Sequence, residues 1–333
     1  MNAINIGAPS WHIAESYGRI AHELRNAFMR QGWHVNTVGE DQPCTTVQPV
    51  LGGILLAYPT HFHKFGAMLN LGKRLAVTMF ESTKLPEGWV EELNQCAAVI
   101  VPSEWLVELF KKEGVRVPVT CVPLGVDHQT FAYVERDPTR QPFTFIAYMD
   151  RFGRKGWHSA GSAFMKAFGD DPNYRLIFKA RKAQPFPFRI GNPNIQILAE
   201  DYTDAEMAQF YADADCLLFP TSGEGFGLPP REFAATGGTA ITTNWSGTQD
   251  NLESWGIPLN NFNFVPAWDR VKEFRGLGVW AEADIDELAA KMIAVAQNRE
   301  QYHAKGKIAS EFVHKHYQWS FFTQQVMKIW EGL

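Results

Sequence analysis

Short apolar runs alternate with amphipathic stretches along most of the chain. Residues 52–59 (GGILLAYP), 74–80 (RLAVTMF), 97–103 (AAVIVPS) and 117–125 (VPVTCVPLG) are bounded by Gly, Pro or Ser and read as buried strands. Between them, residues 18–31 place Ile20, Leu24, Ala27 and Phe28 on one helical face, opposite Arg19, Glu23 and Arg30. Ser103 stands where the N-cap of a helix running to about Lys112 is expected. The polar, proline-punctuated stretch 132–142 (AYVERDPTRQP) reads as a linker. A second series follows, with strands at 143–149, 174–180, 194–200, 215–221 and 239–244. Helices are predicted at 157–168, 203–213, 229–236, 284–297, 299–315 and 319–332. Strand–helix alternation of this kind makes parallel sheets covered by helices. The pattern predicts two α/β domains facing one another.

Composition narrows the function classes. The chain has 333 residues, enough for two domains with sizeable cores, and is 45% hydrophobic and 20% charged. The net charge of −5 argues against a broad nucleic-acid-binding face. Residues 1–143 hold 12 Lys and Arg against 14 Asp and Glu, a balance of −2, which adds no support for one. No apolar run approaches the roughly 18 residues that read as a membrane span. Cys44, Cys96, Cys121 and Cys216 are scattered without a CxxC pair, so neither a zinc site nor a disulfide framework is indicated. A reducing cytoplasm is the expected compartment, with peripheral membrane association left open.

One stretch concentrates chemistry. TSGEGFGLPPREFAATGG, residues 221–238, follows the apolar run CLLFP and precedes a helix started by Pro and ended by Gly. Gly223, Gly225 and Gly227 would let an anion approach the backbone, and the helix N-terminus would present free N–H groups to it. The G-x-G-x-G spacing is neither the dinucleotide fingerprint nor a P-loop, since no Lys follows the glycines. A plain strand–loop–helix turn with solvated glutamates is the competing reading. A second cluster, YMDRFGRKGW, places Arg151, Arg154 and Lys155 after the strand at 143–149. Guanidinium and ammonium groups suit phosphate oxygens, although solvated basic turns are also common.

Arg151-x-x-x-Lys155-Gly, followed by EDYTDAEMAQFYADADCLLFPTSGEGFGLPPREFAATGG, resembles the retaining GT-B glycosyltransferases of the family-4 type, with their E-x7-E element. In the first domain SYGRIAHELRNAF, FESTKLPEGWVEELNQCAAVIVPSEW and VPLGVDHQTF are similar to the same family. The resemblance implies two facing Rossmann-like domains with a deep cleft between them. An acceptor domain would span 1–140, completed by a C-terminal helix at 317–333, and a donor domain 141–316. The implied reaction moves a sugar from a nucleoside-diphosphate sugar, UDP or GDP, to an acceptor hydroxyl with retention.

The resemblance also implies roles. Arg151 and Lys155 would hold the diphosphate, Glu232 the ribose hydroxyls, and Glu224 would lie by the donor sugar. The region of Gly225, Phe226, Gly227 and Leu228 would bind the donor through backbone N–H groups. His61, His63 and Glu81 are candidates for acceptor contact, with a structural or surface role expected for at least one of the histidines. Asp213-Ala-Asp215 and Asp284-Ile-Asp286 mimic a metal-binding DxD but sit at element boundaries, so a structural role and a metal-independent reaction are expected. Two departures blur the donor preference. Gly237-Gly238-Thr239 replaces the usual Gly-x-Pro, and the segment after Gly247 is long and aromatic. The acceptor stays open among glycan, lipid-linked molecule, small molecule and modified nucleic acid. Nucleotide-sugar epimerisation and a non-catalytic sugar-nucleotide subunit are the alternative functions.

Overall fold

The structure, a computed structural model, describes residues 2–11, 16–39, 52–70, 72–149, 153–182, 191–268 and 276–333. The chain is α/β and divides into two compact units, Met1–Gly125 with Tyr317–Leu333, and Val126–His316.

The first unit is built on six parallel strands: β1 (Ala3–Gly7), β2 (His34–Val38), β3 (Gly52–Leu56), β4 (Lys73–Val77), β5 (Ala98–Val101) and β6 (Val119–Cys121), in the order β2-β1-β3-β4-β5-β6. Helices α1 (Ser16–Arg30), α2 (Trp89–Leu93) and α3 (Glu104–Glu113) follow the chain between them, with a 3-10 segment at Pro59–Asn70. β3 and β5 are buried along their whole length, as strands covered on both faces must be. The apolar face expected for α1 is the buried one, with Ile20, Leu24, Ala27 and Phe28 inside. Ser103 does occupy the N-cap position of α3, but its hydroxyl is fully buried and makes no cap hydrogen bond. β1 and β2 escaped the apolar pattern because each has a polar residue at its centre. Asn5 and Asn36 lie opposite one another in register, and Asn36 Nδ2 donates to Asn5 Oδ1 at 3.0 Å.

The second unit holds β7 (Phe143–Tyr148), α4 (Trp157–Phe168), β8 (Tyr174–Ala180), β9 (Ile195–Ala199), α5 (Asp204–Ala212), β10 (Cys216–Phe219), α6 (Leu228–Ala235), β11 (Thr239–Thr243), α7 (Leu252–Trp255) and β12 (Ile257–Leu259). Its six strands are parallel, in the order β12-β11-β10-β7-β8-β9. An antiparallel ribbon of β13 (Phe262–Pro266) and β14 (Val279–Ala283) follows, then α8 (Ile285–Gln297) and α9 (Arg299–His316). The last helix, α10 (Trp319–Gly332), packs on α1 in the first unit. The second core is strongly aromatic: Phe143, Phe145 and Phe164 are buried in it, with Phe168 and Tyr174 packed against its edge.

The expected linker is not free of the second unit. Arg136 is buried, and its guanidinium donates to Thr236 O at 2.6 Å, Thr236 Oγ1 at 2.9 Å, and Ala214 O and Tyr211 O at 3.1 Å each. A stretch polar in sequence is therefore anchored by an arginine that uses backbone carbonyls as its partners. Both DxD-like pairs have structural partners. Asp215 accepts from Thr144 N at 2.7 Å, and Asp284 caps α8 by accepting from Glu287 N at 2.8 Å.

Candidate functional site

In an open parallel sheet, ligands meet the carboxyl ends of the strands where the strand order reverses. In the second unit β7 is the first strand, and it has β8 on one side and β10 on the other. The loops leaving β7 and β10 therefore flank the reversal. They hold the two chemistry-bearing clusters, Arg154 and Lys155 after β7 and Gly223 to Leu228 after β10.

The two loops are tied together by charge. Lys155 Nζ lies 2.5 Å from Glu224 Oε1, and Arg154 Nη1 lies 2.9 Å from the same oxygen. Thr221 Oγ1 donates to that oxygen at 3.1 Å, and Arg154 Nη1 also bonds Gly223 O at 2.5 Å. Glu224 is buried. Burial pushes its carboxyl up, but Arg154 and Lys155 outweigh that and hold it below the usual carboxylate range. Close packing reinforces the contact: a Cβ on Gly156 would stand 1.9 Å from Pro220 O. Arg151 lies outside the described residues.

Glu224 is also fixed through its backbone. Its N–H donates to Ser246 Oγ at 3.0 Å, and its carbonyl accepts from Gly247 N at 2.9 Å. Gly227 takes a φ of 86°, left-handed geometry open to glycine, and Leu228 begins α6 with Pro229 in its first turn. Phe226 and Gly225 are buried. One turn into α6, the half-buried Glu232 meets the buried Tyr211, which is joined in turn to the half-buried Tyr148. Tyr211 Oη stands 3.5 Å from Glu232 Oε2, and Tyr148 Oη is hydrogen-bonded to Tyr211 Oη. Burial raises both phenol pKa values, with the Glu232 charge adding to the effect, so both tyrosines stay neutral.

In the first unit, Glu81 accepts from Tyr58 Oη at 3.2 and 3.3 Å. His61 lies beside Tyr58, with ring centroids 6.3 Å apart in an edge arrangement, and its N–H donates to Tyr58 O. Tyr58 also packs edge-on against Tyr17, whose hydroxyl accepts from Met79 N at 3.2 Å. His63, two residues on from His61, is exposed. The arrangement brings His61 and Glu81 to one tyrosine. Sequence reasoning did not single out Tyr17, Tyr58, Tyr148, Tyr211, Thr221 or Ser246. Each is a hydroxyl in an otherwise ordinary element, and only its partner gives it a role.

No protein-family model matches the chain, and no curated protein does. Solved structures do. A sucrose-phosphate synthase from Thermosynechococcus elongatus is similar with a TM-score of 0.75 at 14% identity, covering 100% of this chain and 99% of its own. HepE of Anabaena, in complex with UDP and glucose, gives 0.72 at 11% identity, covering 99% of each chain. A trehalose-6-phosphate synthase, studied for glycosyl transfer with retention, gives 0.66 at 11% identity over 99% of each chain. The chain has the GT-B fold. In that fold, the Lys155–Glu224 contact and the α6 N-terminus lie at the carboxyl ends of the second sheet. Among the described residues, no helix is long and apolar enough to cross a membrane.

Proposed function

We propose that this chain transfers a sugar from a nucleoside-diphosphate sugar to an acceptor hydroxyl, with retention of the anomeric configuration. The observation that supports it best is the convergence of Lys155 and Arg154 on Glu224 beside the N-terminus of α6. Cations, a carboxylate and helix N–H groups within one turn suit a ligand that is part anion and part polyol. The GT-B likeness, and the complexes of HepE with UDP and with UDP-glucose, favour a donor carrying UDP; GDP is the other nucleotide to be tested.

In this reading Arg151 and Lys155 hold the diphosphate, and the backbone N–H groups from Phe226 to Leu228 meet its oxygens. Glu224 accepts from hydroxyls of the donor sugar and Glu232 from the ribose. His61 and Glu81 belong to the acceptor side. The acceptor oxygen bonds to the anomeric carbon on the face that the diphosphate leaves. The C–O bond to phosphate breaks, and the departing phosphate oxygen takes the acceptor's proton. Lys155 and the helix N-terminus stabilise the charge that develops on the diphosphate. With that charge met by protein groups, the reaction is assigned as metal-independent.

The test is a thermal-shift screen of UDP, GDP and their sugars, followed by NMR of the sugar released or transferred. Ligand-raised melting with a product of unchanged anomeric configuration is expected. A new nucleotide sugar formed without acceptor would replace this reading with epimerisation. Tight donor binding without turnover on a broad acceptor panel would leave a binding subunit.

A further inference from the structure

We propose that Arg231 is a positioning residue that fixes the direction of the Gly227 and Leu228 amides so that both receive the donor diphosphate. The inference rests on the nucleotide-sugar reading above. Arg231 is fully buried in α6, one residue before Glu232. Nη1 donates to Phe226 O and, at 3.3 Å, to Gly227 O. Nη2 donates to Gly247 O at 3.1 Å and to Asp250 O at 3.4 Å. Its Cζ lies 4.0 Å from the centroid of the Phe226 ring and 4.5 Å from that of Trp255. A planar fork of donors in contact with two rings is a demand that arginine meets and lysine does not.

The consequence follows from peptide geometry. In a trans peptide the carbonyl and the N–H point in opposite directions. The Phe226–Gly227 and Gly227–Leu228 peptides are both trans. Holding the Phe226 and Gly227 carbonyls against the guanidinium therefore turns the Gly227 and Leu228 N–H groups away from it. Among the described residues, neither N–H has a protein acceptor. The same guanidinium grips the neighbouring loop through Gly247 and Asp250. That loop is joined to Glu224 through Ser246 and Gly247. The clamp thus sets the amides and Glu224 in one frame before any ligand arrives, and it places a buried positive charge behind an anion-binding turn.

Two variants test this, Arg231→Lys, which keeps the charge without the fork, and Arg231→Gln, which keeps two donors without the charge. The probes are UDP and uridine, or GDP and guanosine if the wild-type protein prefers that base, with affinities from calorimetry or competition. Misaligning the two amides should weaken diphosphate binding about tenfold or more, since a hydrogen bond to a charged group contributes about 1.5–3 kcal/mol. Nucleoside affinity should stay within about twofold, because the nucleoside makes no phosphate contact. A purely structural role would lower the melting temperature and leave the diphosphate-to-nucleoside ratio unchanged. That result in either folded variant overturns the proposal, and so does failure of both variants to fold. A wild-type protein that binds neither diphosphate overturns the reading of the site itself, and the clamp's role with it.

Discussion

Lys155 Nζ and Glu224 Oε1 stand 2.5 Å apart, although they come from loops that leave two different strands. The sequence reading gave the lysine to phosphate and the glutamate to hydroxyls. The structure pairs them with each other, and Arg154 joins the same oxygen. Before a donor binds, the cation is thus held in place by the carboxylate. In the proposed reaction, an incoming diphosphate would share an ammonium that is already oriented.

Lys155→Ala is expected to lower turnover by about two orders of magnitude or more, the size of effect seen when one preorganised donor to a developing oxyanion is removed. Arg154 still bonds Glu224 in this variant, so the protein should fold and melt within a few degrees of wild type. Steady-state kinetics paired with a melting curve checks both halves. Near-normal turnover would remove Lys155 from the diphosphate site.

Glu224→Gln gives a pH signature. The Glu224 carboxyl is held below its usual value of 4.5 in the folded protein. A depressed carboxyl stabilises the fold fully above its unfolded pKa, and that contribution fades as pH falls through the folded value. The difference in stability between wild type and Glu224→Gln should be constant from about pH 6 to 8 and shrink below about 4.5. Urea unfolding across that range measures it. A difference that grows on acidification would contradict the ion pair.

Gly247→Ala should separate the two loops. Its Cβ would meet Gly225 O at 2.2 Å and Glu224 O at 2.7 Å, both backbone atoms that cannot swing aside. A cost of about 2–3 kcal/mol is expected, together with loss of nucleotide binding. Gly191→Ala is the control, because among the described residues a Cβ there meets nothing within 4 Å and Gly191 is exposed. It should stay within about 0.5 kcal/mol of wild type by chemical denaturation.

Arg136→Ala should destabilise the second unit by about 3 kcal/mol or more, since it leaves several buried carbonyls without their donor. The exposed Lys315→Ala should change stability by no more than about 0.5 kcal/mol. Urea midpoints for the two variants decide whether 132–142 is a structural part of the second unit. Equal midpoints would restore the linker reading.

The strand–helix alternation and most element boundaries were legible in the chain. Parallel strands buried on both faces write themselves as apolar runs, as in GGILL of β3 and CLLF of β10. The helix expected from about Trp157 to Phe168 is α4, flanked by Gly156 and Gly169. The ribbon of β13 and β14 was not legible. Its residues pair with a partner more than ten positions further along the chain, and Phe264 stays exposed, so no local periodicity marked it. Asn5 and Asn36 hid β1 and β2 for a related reason: a polar residue inside a strand is tolerable only when its neighbour satisfies it.

Most of the buried strands and the longer helices, and the placing of glycines, two glutamates and a basic cluster at strand ends, could be read from the sequence alone. Those features follow from local periodicity and from residue chemistry, which the order of residues states directly. Only the tertiary structure decided that Lys155 belongs with Glu224, that Arg231 faces inward onto four carbonyls, and that Arg136 anchors its segment. These are contacts between residues up to 100 positions apart, such as Arg136 and Thr236. Charge and hydrogen-bonding capacity say that a side chain needs a partner. The packing of the sheet and its helices selects which partner it gets.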